Sequence, residues 1–360
     1  MDHKSRQERL RHGFGANRLD GLLVTHLPNI RYLCGFTGSS GVLVIDEERS
    51  VFFTDGRYTS QANAEVQGAR VTISRKAALM ATGEWLASRR KKKLTIGVES
   101  EHLTVADSAK LEGAFKSKIK LRPTWSMVER LRMVKDNEEI EHLRAAVILG
   151  ASLFDTAVET IRPGVKEVDV AAEMEYAARR QGAEGMSFET IIASGPRSAL
   201  PHGRASAAAI LSGGFVVCDF GVILTGYCSD MTRTVHVGKL TPESRRMYQA
   251  VHEAQQAALD AVRPGVSVGR VDRAARKSLQ ISGLGRNFTH STGHGVGLEI
   301  HEAPRIAKGQ REILRPGMVI TIEPGAYVPG RGGVRIEDMV VVTESGCEVL
   351  TPTGKELIAI

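Results

Sequence analysis

The sequence predicts an α+β protein of two domains, on three observations. The chain has 360 residues, which is long enough for two domains of ordinary size. Up to about residue 130, short apolar runs alternate with helical segments, which is typical of a mixed α/β domain. Beyond that point the pattern changes to long helices and β-hairpins. We therefore expect an N-terminal domain over residues 1–130 and a second domain over residues 131–360.

The N-terminal domain is predicted from its local signals. A short helix is expected from Leu10 to Asp20, followed by a buried strand over residues 21–25 and, at Pro28, a turn over residues 26–29. Strands over residues 41–45 and 50–54 are predicted to form a hairpin. Helices and strands then alternate, with a helix from about Ser60, a strand over 70–74, a helix over 77–92 and a strand over 94–98. This part of the sequence shows no evident catalytic cluster.

Charge and composition argue against several classes of partner. The net charge is +7, and residues 1–140 account for all of it with 24 Lys and Arg against 17 Asp and Glu. The basic run at residues 89–93 lacks interleaved aromatic residues, so a solvated face is predicted there and no nucleic-acid partner. No apolar run approaches the length of a membrane helix, and no signal peptide is recognised, so no membrane partner is expected. The four cysteines lack CxxC spacing, which favours a cytoplasmic location.

The second domain is predicted to open with a charged amphipathic helix over residues 127–146, of which residues 131–146 form the connector. Two pairs of helices follow, one over 145–162 and 167–182, the other over 242–262 and 268–281, with a strand at 186–193 between the pairs. The sequence Arg-Pro-Gly-Val occurs once in each pair, at residues 162–165 and 263–266. This repeat indicates an internal duplication.

Four carboxylates stand in or beside apolar strands of this domain. Asp219 lies within a strand over residues 215–222, and a hairpin is expected to bring Asp230 beside it. Glu323 ends a further strand, and Glu337 lies inside a predicted strand over residues 333–342. A buried carboxylate is costly without a cation or several donors, and two neighbouring carboxylates repel one another. Because all four carboxylates lie in or beside apolar strands, the sequence predicts a site in which they surround cations.

A glycine-rich stretch at residues 287–302 supplies the imidazoles. His290, His294 and His301 lie within twelve residues of one another, among three glycines. Four carboxylates with His294 carry a charge of −4, which two divalent ions neutralise. A ligand set dominated by oxygen favours Mn²⁺, with Co²⁺, Fe²⁺ or Zn²⁺ as alternatives. Two such ions can hold and acidify a water molecule between them.

The remaining polar residues are candidates for supporting roles. His202, His290 and His301 can donate to a developing oxyanion or protonate a leaving nitrogen. Strand periodicity places Arg335 on the same face as Glu337 and turns neighbouring Asp338 away. Arg305 is a candidate for holding a substrate carboxylate, against the alternative of an ordinary surface arginine.

These residues resemble the two-metal "pita-bread" metallopeptidases of family M24, in particular prolidase and Xaa-Pro aminopeptidase. The resemblance is carried by Phe188-Glu189-Thr190-Ile191-Ile192-Ala193-Ser194-Gly195, Pro201-His202-Gly203, Gly293-His294-Gly295-Val296-Gly297 and Gly333-Val334-Arg335-Ile336-Glu337-Asp338. Residues 29–33 and 35–41 are similar to the creatinase-like N-terminal domain of those enzymes. The resemblance implies a creatinase-like α/β domain followed by a pita-bread domain, in which helices flank an antiparallel sheet with pseudo-twofold symmetry.

The resemblance also implies roles for individual residues. Asp219 would chelate one metal, His294 and Glu323 the other, while Asp230 and Glu337 bridge both, and Glu323 also transfers a proton. His202 and His301 would steady the scissile carbonyl and the proline nitrogen, with His290 close by and Arg335 orienting the carboxylates. It further implies a homodimer in which the N-terminal domain reaches the rim of the partner's active site.

The predicted function is therefore hydrolysis of the Xaa-Pro bond at the N-terminus of dipeptides or short peptides with proline in the second position. A bond to proline lacks an N–H, so a dedicated enzyme for it is expected. The sequence is compatible with both dipeptidase and aminopeptidase activity. The alternatives are a methionine aminopeptidase, which uses the same ligand types but lacks the N-terminal domain, and a non-catalytic binding module, which usually loses ligands.

Overall fold

The computed structural model describes residues 1–89, 93–115 and 119–360, and the chain divides into two units, Met1–Arg132 and Met133–Ile360. The fold is α+β. Part of the predicted helix at residues 77–92 and of the basic run at residues 89–93 lies outside the described residues. Within those residues no helix is both long and apolar enough to cross a membrane.

The first unit is built on one six-stranded sheet with the strand order β4-β3-β2-β1-β5-β6. Numbered along the chain, the strands are β1 Gly21–Val24, β2 Val42–Asp46, β3 Ser50–Asp55, β4 Arg70–Ser74, β5 Leu94–Glu99 and β6 Ile119–Thr124. The helices are α1 His3–His12, α2 Phe14–Asn17, α3 Leu27–Cys34, α4 Thr59–Glu65, α5 Ala78–Ala87, α6 Val105–Phe115 and α7 Glu129–Arg132. Helices α5 and α6 pack against a sheet face on which Leu23, Val44 and Phe53 are buried.

Three predictions for the first unit were wrong or incomplete. The turn expected at residues 26–29 is the start of helix α3, with Pro28 in its first turn, where a missing N–H costs nothing. The helix expected from Leu10 to Asp20 is instead two helices, α1 and α2, and it begins earlier. Helix α6 and strand β6 were not anticipated. The hairpin of β2 and β3 and strand β1 were predicted within one or two residues.

The second unit combines four long helices with small antiparallel sheets. The helices are α8 Asn137–Thr160, α9 Glu167–Arg180, α10 Pro242–Ala261 and α11 Val268–Ile281. The first group of strands is β7 Gly185–Met186, β8 Ile191–Ser194, β9 Gly214–Phe220, β10 Val222–Leu224, β11 Tyr227–Cys228 and β12 Met231–Val237. The second group is β13 Gly293–Gly295, β14 Glu302–Ile306, β15 Val319–Ile322, β16 Gly325–Val328, β17 Gly332–Arg335, β18 Asp338–Val342 and β19 Cys347–Val349.

The strands of the second unit form two three-stranded sheets, β11-β10-β7 and β12-β9-β8, a five-stranded sheet, β14-β13-β15-β18-β19, and the hairpin β16-β17. Helices α8 and α9 bury their apolar faces against strands of the first group, around Leu153, Met174 and Val216. Helices α10 and α11 do the same against strands of the second group, around Val251, Val271 and Ile320. Each half of the unit therefore has its own core.

The two halves repeat the same backbone contacts, in agreement with the duplication predicted from the Arg-Pro-Gly-Val repeat. Each copy of the repeat, at residues 162–165 and 263–266, connects the two helices of its pair and pairs with a later segment. The equivalent hydrogen bonds run from Gly164 N–H to Ile210 O and from Gly265 N–H to Leu314 O (both 2.9 Å), from Ile210 N–H to Val165 O (2.8 Å) and from Leu314 N–H to Val266 O (2.9 Å).

Several elements of the second unit differ from the prediction. The strand expected over residues 186–193 is divided into β7 and β8, which belong to different sheets. The connecting helix predicted over residues 131–146 is interrupted, because Asp136 and Glu139 form a capping box that begins α8 at Asn137, after α7 has ended. Helix α8 then runs on to Thr160, so the separate helix predicted over residues 145–162 is part of it. The predicted continuous strand over residues 333–342 is broken at Glu337 into β17 and β18, which belong to different sheets.

Candidate metal centre

The five side chains predicted to bind metal lie at the ends of strands or between them. Asp219 is the penultimate residue of β9, and Asp230 immediately precedes β12. His294 is the middle residue of the short strand β13, Glu323 directly follows β15, and Glu337 lies between β17 and β18. The structure brings all five to the wall of one cavity of about 600 Å³. Their convergence results from strands that end or change sheet around this cavity.

The carboxylates and the imidazole are close enough to share cations. Asp230, His294 and Glu337 each offer one ligand atom, and these three atoms lie within 4.8 Å of one another. His294 Nε2 lies 3.5 Å from Asp230 Oδ2 and 3.6 Å from Glu323 Oε1. Asp219 on β9 pairs directly with Thr232 on β12, two residues after Asp230. Asp219 and Asp230 are therefore diagonal neighbours across the two strands.

The tautomer of His294 leaves a bare nitrogen facing these oxygens. His294 Nδ1 lies 3.0 Å from the carbonyl oxygen of Gly295, which only accepts, so Nδ1 carries the hydrogen. Burial lowers the pKa of His294 to about 4, and the ring is therefore neutral near pH 7. Nε2 then has a lone pair, directed at carboxylate oxygens that also carry lone pairs. A cation between them turns these repulsive contacts into bonds, and the fixed Nδ1–H is the usual support of a metal-binding histidine.

The electrostatics of the carboxylates indicate the same need for positive charge. Burial, together with the charges of Glu337 and Asp219, raises the pKa of Asp230 well above its usual range. Burial and the charges of Glu323 and Asp219 raise the pKa of Glu337 in the same direction. Burial also raises the pKa of Glu323 to about 8. Without cations, these carboxyl groups therefore hold their protons more tightly than ordinary carboxyl groups do.

Arg335 is the buried cation that the chain itself provides. Its Nη2 donates to Asp219 Oδ2, its Nε to Thr232 Oγ1 (3.1 Å), and its Nη1 to Tyr327 Oη (2.6 Å) and Pro201 O (3.0 Å). One guanidinium does not balance four carboxylates. The other oxygen of Asp219, Oδ1, is buried and has no hydrogen-bond partner among the described residues. A buried acceptor without a donor requires a ligand, and a divalent cation fits this set of donors.

The imidazole of His290 is held by a tyrosine. Its Nδ1 lies 2.8 Å from Ser291 O, which only accepts, so Nε2 is the bare nitrogen that accepts from Tyr327 Oη at 2.8 Å. Burial, followed by the charge of Arg335, lowers the pKa of His290 to about 3. Burial also raises the pKa of Tyr327 to about 12, so the phenol remains a donor. His290 Nδ1 is 3.8 Å from Glu323 Oε2, which places this ring beside the carboxylate cluster.

His202, His301 and Arg305 line the same cavity and are more exposed than the carboxylates. The ring of His301 meets that of His294 edge to face, with a centroid distance of 4.5 Å. Burial lowers the pKa of His301 below its usual value. These three residues therefore form the solvent side of a cavity whose inner wall carries the carboxylates.

Asp338 faces away from the cavity, as strand periodicity predicted. Its carboxylate accepts from Arg233 Nη2 (2.7 Å), Gln255 Nε2 (2.7 Å) and Lys355 Nζ (2.9 Å). These donors satisfy the buried charge locally, so Asp338 contributes to the packing of the second unit and not to the cavity.

Two residues of the site were not found from the sequence. Thr232 donates through Oγ1 to Glu337 Oε2 at 2.7 Å and so orients that carboxylate. The sequence carried a usable signal for it, since Thr232 lies two residues after Asp230 and strand periodicity places both on one face. Tyr327 links Arg335 to His290, and no feature of the local sequence indicates this contact.

The comparisons with known proteins agree with this geometry. Residues 141–344 match the family model described as metallopeptidase family M24, and residues 6–134 match the creatinase/prolidase N-terminal domain. The chain belongs to metallopeptidase family M24. Membership implies divalent metal ions and peptide substrates, and it is consistent with the donor set of the cavity.

Individual relatives cover the whole chain. The chain is 38% identical over 357 residues to an Xaa-Pro dipeptidase of Pyrococcus furiosus, covering 99% of this chain and 100% of the relative. Among solved structures, an Xaa-Pro dipeptidase from Bacillus anthracis superposes with a TM-score of 0.95 at 40% identity, covering 100% of both chains. An X-Pro aminopeptidase from Thermotoga maritima has a TM-score of 0.90 at 37% identity, covering 99% of this chain and 100% of that one.

Metal removal should make the stability of this M24 member depend strongly on pH. The folded-state pKa values of Asp230, Glu323 and Glu337 are raised above those of the unfolded chain. The metal-free folded state therefore binds more protons than the unfolded state, and its stability falls as pH rises from about 5 to 8. Because cations replace those protons, the rise in Tm on adding Mn²⁺ should be larger at pH 8 than at pH 5.5. Calorimetry of stripped and loaded protein measures this, and an equal shift at both values contradicts it.

Proposed function

We propose that the chain is a proline-specific dinuclear metallopeptidase that hydrolyses the Xaa-Pro bond at the N-terminus of dipeptides or short peptides. The observation that carries the proposal is the set of four carboxylates that line one cavity together with His294, whose bare Nε2 lies 3.5 Å from Asp230 and 3.6 Å from Glu323. Similarity to Xaa-Pro dipeptidases over the full chain supports the choice of substrate. A methionine aminopeptidase and a non-catalytic module are not favoured by these similarities.

Two divalent cations would be held by the carboxylates and His294. We propose Asp219 for one ion, His294 and Glu323 for the other, and Asp230 and Glu337 as bridges between the two. Mn²⁺ is the proposed metal because oxygen donors dominate the set, with Co²⁺, Fe²⁺ or Zn²⁺ as alternatives. When bound, such a pair of ions lowers the pKa of a water molecule towards neutrality and thereby supplies the nucleophile.

The side chains around the ions would then perform the proton transfers. Glu323 takes a proton from the attacking water and delivers it to the proline nitrogen, with Oε2 near His290 and Oε1 near His294. His202 and His301, which line the open side of the cavity, donate to the scissile carbonyl and steady the proline nitrogen. Arg335 holds Asp219 in position through its buried ion pair.

Arg305 is the proposed clamp for a substrate carboxylate. Its side chain is exposed and lines the same cavity as His301, which is four residues away in the chain. A guanidinium can bind a free carboxylate through two parallel hydrogen bonds. This arrangement favours short substrates whose C-terminal carboxylate lies near the scissile bond.

The experiment that tests the function compares Ala-Pro with Ala-Pro-Ala, using stripped protein with and without added Mn²⁺. Metal-dependent cleavage of either peptide is the expected result. Cleavage of the dipeptide alone establishes a dipeptidase with a carboxylate clamp, and preferential cleavage of the tripeptide establishes an aminopeptidase. If neither peptide is cleaved with any divalent ion, the proposal fails.

His202→Ala should separate catalysis from metal binding. The loss of one donor to the developing oxyanion should lower kcat on the order of 100- to 1000-fold. Metal content should stay at the wild-type value, because His202 is not among the proposed ligands. Elemental analysis after dialysis, beside steady-state kinetics, measures both quantities. Loss of metal from this variant would make His202 a ligand and would contradict its proposed role.

The assembly and location are proposed as a homodimer in the cytoplasm. Cys34, Cys218 and Cys347 are free thiols, and Cys34 and Cys218 are buried, as is Cys228, which suits a reducing compartment. Light scattering of the purified protein tests the dimer, since a monomeric mass at micromolar concentration contradicts it. For the domain organisation we propose a creatinase-like domain over residues 1–130 and a catalytic domain over residues 131–360.

A further inference from the structure

The loop that carries His202 is held at both ends by one buried carboxylate. Glu167, in the first turn of α9, is fully buried. Its Oε1 accepts from Ser194 N–H (2.8 Å) and Ser194 Oγ (2.9 Å), where the loop begins. Its Oε2 accepts from Ser206 N–H (3.1 Å) and Ser206 Oγ (2.7 Å), where the loop ends. One side chain thus closes the segment over residues 194–206.

An arginine inside the loop completes this clamp. Arg197 Nε donates to both oxygens of Glu167, at 3.2 and 3.0 Å, and Arg197 Nη2 donates to the carbonyl oxygen of Arg204 at 2.7 Å. The side chain of Arg197 therefore links Glu167 to the backbone of Arg204, two residues beyond His202. Charge-assisted bonds to a buried carboxylate are among the stronger hydrogen bonds in proteins. Because five donor groups meet one buried charge, a change at Glu167 disturbs the whole loop.

The other half of the domain has a corresponding clamp. Asp272, on α11, is buried and accepts from Thr292 Oγ1 (2.8 Å) and Arg276 Nε (2.8 Å). Arg276 in turn donates to Phe288 O (3.2 Å) and His290 O (2.6 Å). The segment over residues 288–292, which carries His290, is therefore tied by the same combination of carboxylate, hydroxyl and arginine. The recurrence in both halves indicates that these clamps serve the two histidine loops.

We infer that Glu167 is a positioning residue that sets the orientation of His202 towards the substrate. The inference deepens the proposed function, because it rests on His202 acting on the scissile bond. Glu167 lies outside the cavity lining and does not touch substrate or metal. Its effect on catalysis is transmitted through the loop backbone. A small displacement of a catalytic group is enough to change the rate by up to about 100-fold.

A double-mutant cycle with His202 tests this role. Glu167→Gln keeps the volume of the side chain but removes its charge and turns an amide donor towards groups that also donate. We expect kcat to fall between about 10- and 100-fold, with KM and metal content little changed. In the His202→Ala background the same substitution should cost less than about 3-fold, since no imidazole remains to be positioned. Equal losses in both backgrounds would show a merely structural effect and overturn the inference. If Glu167→Gln does not fold, Arg197→Lys, which loses the bridge to Arg204, is carried through the same cycle.

Hydrogen exchange of the holoenzyme gives a readout that does not depend on activity. Glu167→Gln should speed exchange of amides in residues 194–206 and leave residues 288–292 unchanged. The matched control, Asp272→Asn, should do the reverse. Faster exchange in both loops, or in neither, overturns the inference. If the wild-type protein cleaves no Xaa-Pro peptide, the proposed function fails on that result alone, while the exchange pattern still decides whether Glu167 holds the loop.

Discussion

Asp230→Ala is expected to abolish peptide hydrolysis and to remove most of the bound metal. Asp230 Oδ2 faces the bare Nε2 of His294, and the side chain is buried between strands, so no other group replaces it. Substitution of residues that only support metal ligands costs about 10- to 100-fold in affinity or activity. Loss of a bridging carboxylate should therefore exceed about 100-fold in kcat/KM, and metal content should fall below the wild-type value.

The matched control is Asp260→Ala, an exposed aspartate on α10. It removes the same group from the surface and should leave hydrolysis and metal content at wild-type values. Kinetics with Ala-Pro and elemental analysis after dialysis measure both properties. Near-normal turnover of Asp230→Ala would show that this carboxylate is not a ligand, and the two-metal assignment would have to be withdrawn.

Arg335→Ala is expected to destabilise the metal-free protein by about 3–5 kcal/mol, the usual cost of breaking a buried ion pair from one side. Arg335 is buried and donates to Asp219, Thr232, Tyr327 and Pro201, so its removal leaves a carboxylate and a phenol without their donor. Excess Mn²⁺ should recover part of this loss, because cations balance the charge of Asp219. Urea unfolding with and without metal measures both values.

Arg331→Ala is the control for this effect. Arg331 forms an exposed ion pair with Glu243, and such pairs contribute at most about 1 kcal/mol. A loss of stability as small for Arg335→Ala as for Arg331→Ala would show that the buried guanidinium is not needed to hold Asp219. Arg335→Lys retains the charge but loses the fork of donors, and an intermediate loss is expected.

Some elements that the sequence prediction missed carried signals that could have been used. The capping box at the start of α8 is visible as Asp136 followed three residues later by Glu139. Pro28 was interpreted as a turn residue although proline is also common in the first turn of a helix, which is where it lies in α3. The break at Glu337 carried no such signal, because residues 333–342 read as one apolar strand and only the pairing of β17 and β18 with different partners divides it.

The sequence by itself determined which carboxylates were candidates for the site. Carboxylates inside apolar strands are energetically anomalous wherever the strands lie, so Asp219, Asp230, Glu323 and Glu337 could be selected without coordinates. The tertiary structure alone decided how these groups are supported. The contact of Tyr327 with His290 and the clamp of Glu167 on the His202 loop join residues that are 27 to 39 positions apart in the chain. Such contacts depend on how strands and loops pack in three dimensions, and local sequence patterns contain no information about that packing.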